Sequence, residues 1–94
     1  MAEVQIVKTE KRLDIAHASA LEEALEAALS VEQADITVNM ADTVYISSVA
    51  LRALLKAQKK VNAQGRNMVL VNVSGSVMEV FDVTGFSGIL NFEE

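Results

Sequence analysis

"YISSVALRALL", residues 45–55, is where a β-branched and aromatic run gives way to leucines at helical spacing. Leu51, Leu54, Leu55 and Val61 fall on one face of a helix running from Ser48 to about Gln64, and Arg52, Lys56, Lys59 and Lys60 line its outer side. Gly65 ends the pattern, as a left-handed residue after a helix does. Upstream, "ADITVNMADTVYI" (34–46) alternates Ile36, Val38 and Met40 in the manner of a strand, and downstream "NMVLVNV" (67–73) reads as a buried strand. The stretch is therefore the joint of a strand, helix, strand unit.

The pattern repeats on either side. "VQIVKTE" (4–10) spaces Val4 and Ile6 two apart, the signature of a strand with that face buried. In "HASALEEALEAAL" (17–29), Leu21, Leu25, Ala28 and Leu29 face one way and Glu22, Glu23 and Glu26 the other, with Ser19 and Glu22 spaced as a capping box. Ser74 precedes a short helix, "SVMEVFDVT", which Gly85 closes, and the tail "SGILNFEE" offers an edge strand or a packing segment. Strands alternating with helices define an α/β class with right-handed crossovers. Because the first strand sits just before a short turn at "KRLD", it is expected to pair within a mixed β-sheet of about four strands covered by amphipathic helices.

Composition narrows the function. Ninety-four residues, 51% of them hydrophobic, fit one domain over residues 1–94 and leave no room for a second. The longest apolar runs are broken by Arg52, Lys56 and Asn72, so no membrane insertion is expected, and the charged opening "MAEVQIVKTEK" lacks the apolar centre of a secretory signal. A cytoplasmic protein is expected. Thirteen acidic against eight basic residues give a net charge of −5, the wrong sign for a nucleic-acid partner. There is no cysteine and a single histidine, His17, read as a surface or helix-start residue. No acid–base or nucleophile constellation is present, so no enzyme, no metal site and no cofactor is expected. Gly75, Gly85 and Gly88 lack the spacing and lysine of a phosphate-binding loop.

The adjacent serines of the opening stretch admit two roles. A serine at the first turn of a helix caps an orphan N–H, a contribution of about 0.5 to 2 kcal/mol. A serine hydroxyl there is also a site for regulated modification. A phosphate adds about −1.5 to −2 charges where the helix macrodipole tolerates an anion, so the domain stays folded while a docked partner is confronted with a new charge.

"KRLD" (11–14) and the acidic helix after it, "YISSVALRALL", "GRNMVLVNVS" (65–74) and "VFDVTGF" (80–86) together resemble the STAS family, the bacterial anti-sigma-factor antagonists and related domains of sulfate transporters. The resemblance spans nearly the whole chain. It implies a single STAS-like domain in which a serine just after a strand, at the start of the following helix, is phosphorylated by a partner kinase that is itself the anti-sigma factor. Aligning the family run Asp-Ser-Ser-Gly-Leu on Leu51 implies Ser48 as the acceptor, with Ser47 the second choice. The chain departs from the pattern at three places: Ser47 stands where the family often has aspartate, Ala50 where it has glycine, and Lys11 where its turn has glycine. The implied partner surface comprises Asp14, Ser47, Ser48, Val49, Ala50, Arg52 and Lys56. The implied partners are an anti-sigma factor or equivalent serine kinase and a phosphatase. An alternative from a different class is a constitutive adaptor, similar to the small STAS subunit of a bacterial lipid-transport ATPase, which the missing acid before Ser48 and the Ala50 replacement favour.

Overall fold

The strand, helix, strand order around Ser48 is present in the computed structural model, which describes residues 4–93. In chain order the elements are β1 (Val4–Lys8), β2 (Arg12–Leu13), α1 (Ile15–Leu29), β3 (Asp35–Asn39), β4 (Tyr45–Ile46), α2 (Ser48–Ala63), β5 (Met68–Val71), α3 (Gly75–Thr84), a 3₁₀ turn (Phe86–Gly88) and β6 (Phe92–Glu93). The main sheet runs β1-β3-β5-β6, and β2 pairs with β4 in a separate two-stranded ladder. Four strands were expected in a mixed sheet; every described pairing is instead parallel. The reason is that a helix separates each main-sheet strand from the next one it pairs with, returning the chain to the same end of the sheet.

Each crossover steps in the same direction, so right-handed connections place all three helices on one face. Burial agrees. Ile36, Val38, Met68 and Leu70 are at most 1% exposed, whereas their neighbours Thr37, Val69 and Val71 on the opposite face are only half-buried. Phe92, in register with Leu70, sets its ring 5.2 Å from that of Phe81 on α3. The in–out sense of β1 is the reverse of the expected one: Val7 is buried, while Val4 and Ile6 are 56% and 71% exposed. Val7 pairs with Val38 on the helix side, and the register then forces Val4 and Ile6 onto the face that no helix covers.

Helix α2 buries Leu51, Leu54, Gln58 and Val61 at helical spacing against this sheet. Removing a side chain as enclosed as Leu54, with none of its surface exposed, costs about 2 to 5 kcal/mol. Gln58 is the exception in the stripe: its amide N–H donates to Asn62 Oδ1 at 3.0 Å while its buried Oε1 has no partner. At the far end of the sheet, the Arg66 guanidinium donates to the carbonyls of Leu29, Val31 and Ala34, closing the α1 C-terminus and the loop after it. Gly65 and Gly85 take the left-handed conformation expected of residues that end helices, with φ of 68° and 81°.

Helix α1 starts earlier than expected. Asp14, not Ser19, is its cap: the carboxylate accepts the His17 backbone N–H at 3.0 Å, which leaves Ser19 inside the helix as an exposed residue. The segment 34–46, expected as one strand, is broken after Asn39, whose side chain accepts the Ala41 N–H and turns the chain.

Candidate functional site

Two short strands and two helix caps build the site. Leu13 and Ile46 are in register, and the Ser47 N–H donates to the Leu13 carbonyl at 2.8 Å. The residues after them, Asp14 and Ser47, are the caps of α1 and α2, so the two helices begin side by side with Ile15 and Ser48 as first helical residues. The loop carrying Ser47 is anchored from below. Thr43 is fully buried, its hydroxyl donates to the Glu10 carbonyl at 2.6 Å, and Thr9 Oγ1 lies 2.5 Å from it. Ser74, the cap of α3, holds the same loop by donating to the Thr43 carbonyl.

The adjacent serines are thereby assigned different environments. Ser47 is 8% exposed, and its hydroxyl accepts the Ala50 N–H at 3.3 Å. Its position is that of a structural cap. Ser48 is exposed, and its hydroxyl makes no hydrogen bond among the described residues. With Ala50 N–H taken by Ser47, and Leu51 N–H by the Ser47 carbonyl, the Ser48 and Val49 N–H groups are the first-turn donors left open to an anion.

Of the other expected partner-surface residues, Asp14, Val49 and Arg52 lie at or beside this end. Asp14 is half-buried, and its carboxyl is held below the ordinary aspartate range, chiefly by the side-chain hydrogen bond with His17, whose Nδ1 is 2.7 Å away, and then by the His17 backbone N–H. His17, expected as a surface or helix-start residue, is exposed in the first turn of α1, in contact with Asp14. Val49 is 40% exposed. Arg52 is exposed, one turn after Ser48, with no ion-pair partner among the described residues.

Two residues stand apart from the expectation. Ala50 was placed on the partner surface, but it is fully buried because the third residue of α2 points under the helix into the core. Lys56 was read with Arg52, Lys59 and Lys60 as a row on the outer side of α2; its ammonium lies 3.5 Å from Glu22, and Lys60 lies 2.7 Å from Glu26. The acidic stripe of α1 and the basic row of α2 meet across the helix pair. The contact with Lys60 is also what lowers the Glu26 pKa.

Three exposed apolar side chains beside Val49, forming an apolar collar with it, escaped the sequence reading. Ile15 is 74% exposed, Val44 51% and Tyr45 43%, and with Val49 they account for four of the eight large hydrophobic side chains that stand exposed among the described residues. All lie where α1 and α2 begin. The Arg12 guanidinium sits 4.6 Å above the Tyr45 ring, a cation–π contact that fixes the rim. The exposed Ser48 hydroxyl thus shares this end of the molecule with a group of exposed apolar side chains. Among the described residues no cluster of histidine or acidic side chains could hold a metal ion, and no helix is long and apolar enough to cross a membrane.

Comparison with known proteins agrees with this architecture. The STAS domain profile matches residues 2–94. An anti-sigma-B factor antagonist of Bacillus subtilis is 30% identical over 79 residues, covering 84% of this chain and 72% of that protein. One from Staphylococcus epidermidis is 28% identical over 88 residues, covering 94% and 82%. The crystal structure of a putative anti-sigma factor antagonist from Thermotoga maritima superposes with a TM-score of 0.85 at 20% identity, covering 97% of this chain and 79% of that one. The chain belongs to the STAS domain family, and its curated relatives are of the anti-sigma-factor antagonist type.

Proposed function

We propose that the chain, acting as one domain over residues 1–94, is a non-enzymatic cytoplasmic regulator. It docks an anti-sigma factor that is also a serine kinase, through the collar around Ser48, and is released when Ser48 is phosphorylated. A phosphatase resets it. The observation that carries this reading is the exposed, unbonded Ser48 hydroxyl standing beside a buried serine that already serves the cap. The names of the curated relatives support an anti-sigma factor as the partner class.

In the transfer itself, Ser48 Oγ attacks the γ-phosphorus of ATP held by the kinase. The new O–P bond forms as the bridging bond to ADP breaks, and the hydroxyl proton passes to the kinase's base. The product dianion sits against the open Ser48 and Val49 N–H groups, so the fold tolerates it. Ile15, Val44, Tyr45 and Val49, which cover an apolar partner patch in the unmodified state, then border a charge that the partner would have to desolvate.

Affinity capture from the native host with the tagged chain, identification of the bound protein, and mapping of the phosphate after incubation with ATP test the reading. A bound serine kinase and a phosphate on Ser48 are expected. Capture of a transporter ATPase with no phosphorylation would replace the switch by the adaptor alternative.

A further inference from the structure

Arg52 is the cation on α2 that the fold leaves uncommitted next to the switch. Lys56 and Lys60 are held by Glu22 and Glu26, and Lys59 lies 11 residues from Ser48, about 16 Å along the helix. Arg12 stands over Tyr45 and Arg66 closes the loop at the opposite end of the sheet. Arg52 is four residues after Ser48, on the same side of α2, and both side chains are exposed. Side chains on a helix lean toward its N-terminus, so the turn that carries Ser48 is within reach of the Arg52 side chain.

We propose that Arg52 is a built-in clamp for the phosphate on Ser48. This rests on the reading of Ser48 as the acceptor and adds how the modified state is held. The guanidinium fork matches two phosphate oxygens, and the Ser48 and Val49 N–H groups offer donors from the helix end. In the unmodified protein Arg52 is a free positive charge on the rim, available to an acidic group of the partner. After phosphorylation it is drawn onto the phosphate. The switch thus adds an anion and withdraws a cation in one step, taking the local charge of the pair from +1 to about −1.

The test uses the full chain with phosphoserine genetically encoded at position 48, so no kinase is required. The second phosphate pKa is read by ³¹P NMR titration at low salt in three proteins: native at position 52, Arg52→Gln, and Lys56→Gln. The clamp stabilises the dianion, so Arg52→Gln raises this pKa by about 0.3 unit or more, the scale of an exposed pair one helical turn apart. The rise disappears in about 1 M salt, where the screening length falls to about 3 Å. Lys56→Gln leaves the pKa unchanged. An unchanged value in Arg52→Gln, or an equal rise in Lys56→Gln, overturns the clamp. Failure of a kinase to modify Ser48 in the native protein would instead reject the acceptor assignment and leave this titration standing, so the two failures are separable.

Discussion

Replacing each of the two adjacent serines by alanine separates the cap from the switch. Ser47 is buried, and its hydroxyl accepts the Ala50 N–H at 3.3 Å, a long bond for a cap. Ser47→Ala leaves that N–H unpaired beneath the helix, and the expected loss is about 1 kcal/mol, the middle of the range for caps. In a domain of this size that corresponds to a fall in Tm of about 4 to 8 °C. Ser48 is exposed and its hydroxyl is unbonded, so Ser48→Ala should stay within about 0.5 kcal/mol of the parent. Urea denaturation with a common m value, alongside phosphorylation of each variant by the captured kinase, gives the comparison. Ser47→Ala should be less stable yet still modified; Ser48→Ala should be fully stable and unmodified. If Ser48→Ala were the destabilised protein, or if Ser47→Ala alone lost the phosphate, the division of labour drawn from the structure would be wrong.

Other parts of the molecule are open to equally direct measurement. Gln58→Met, which removes a buried unpaired carbonyl oxygen while keeping the volume, should raise stability by about 1 kcal/mol in the same urea assay. Tyr45→Ala should weaken partner binding by about tenfold or more in calorimetry, since an aromatic anchor in an apolar collar carries more than its share of the contact. Arg52→Glu should slow association in a salt-dependent way in stopped-flow mixing, and Lys56→Glu much less, because Lys56 already faces Glu22. The Asp14 carboxyl is held below the ordinary aspartate range, so its stabilising contribution is complete above that range and is lost as pH falls through the lowered value. The Tm difference between parent and Asp14→Asn should accordingly close as the solution is acidified through and below the ordinary aspartate range, about pH 3.9.

The order of the elements was legible because each depends on local chemistry. Leucines at helical spacing, Ser74 ahead of α3, and Gly65 and Gly85 behind α2 and α3 act over a few residues, and all appear in place. What escaped reading depends on contacts between segments distant in sequence. In "VQIVK" apolar residues occupy both faces, so only the pairing of Val7 with Val38 decides which side is inward. The start of α1 was placed too late because Ser19 and Glu22 match the capping pattern as well as Asp14 does, and only the closed bond to His17 distinguishes them.

The site shows the same division. Ser48 and its neighbour could be found from the strand-to-helix joint, but Ile15 stands some thirty residues before Tyr45 and Val49. Only the β2–β4 pairing brings the two cap residues together. Likewise, Glu22 and Glu26 could not be matched with Lys56 and Lys60 until α1 and α2 were known to pack side by side.

The proposal that one hydroxyl controls docking is tested most directly by the dissociation constant of the captured kinase, measured by calorimetry for the unmodified chain and for the chain carrying phosphoserine at position 48. Loss of about 4 kcal/mol, roughly a thousandfold weaker binding, is expected for the modified form. Equal affinity for the two forms would contradict the account, however completely Ser48 were phosphorylated.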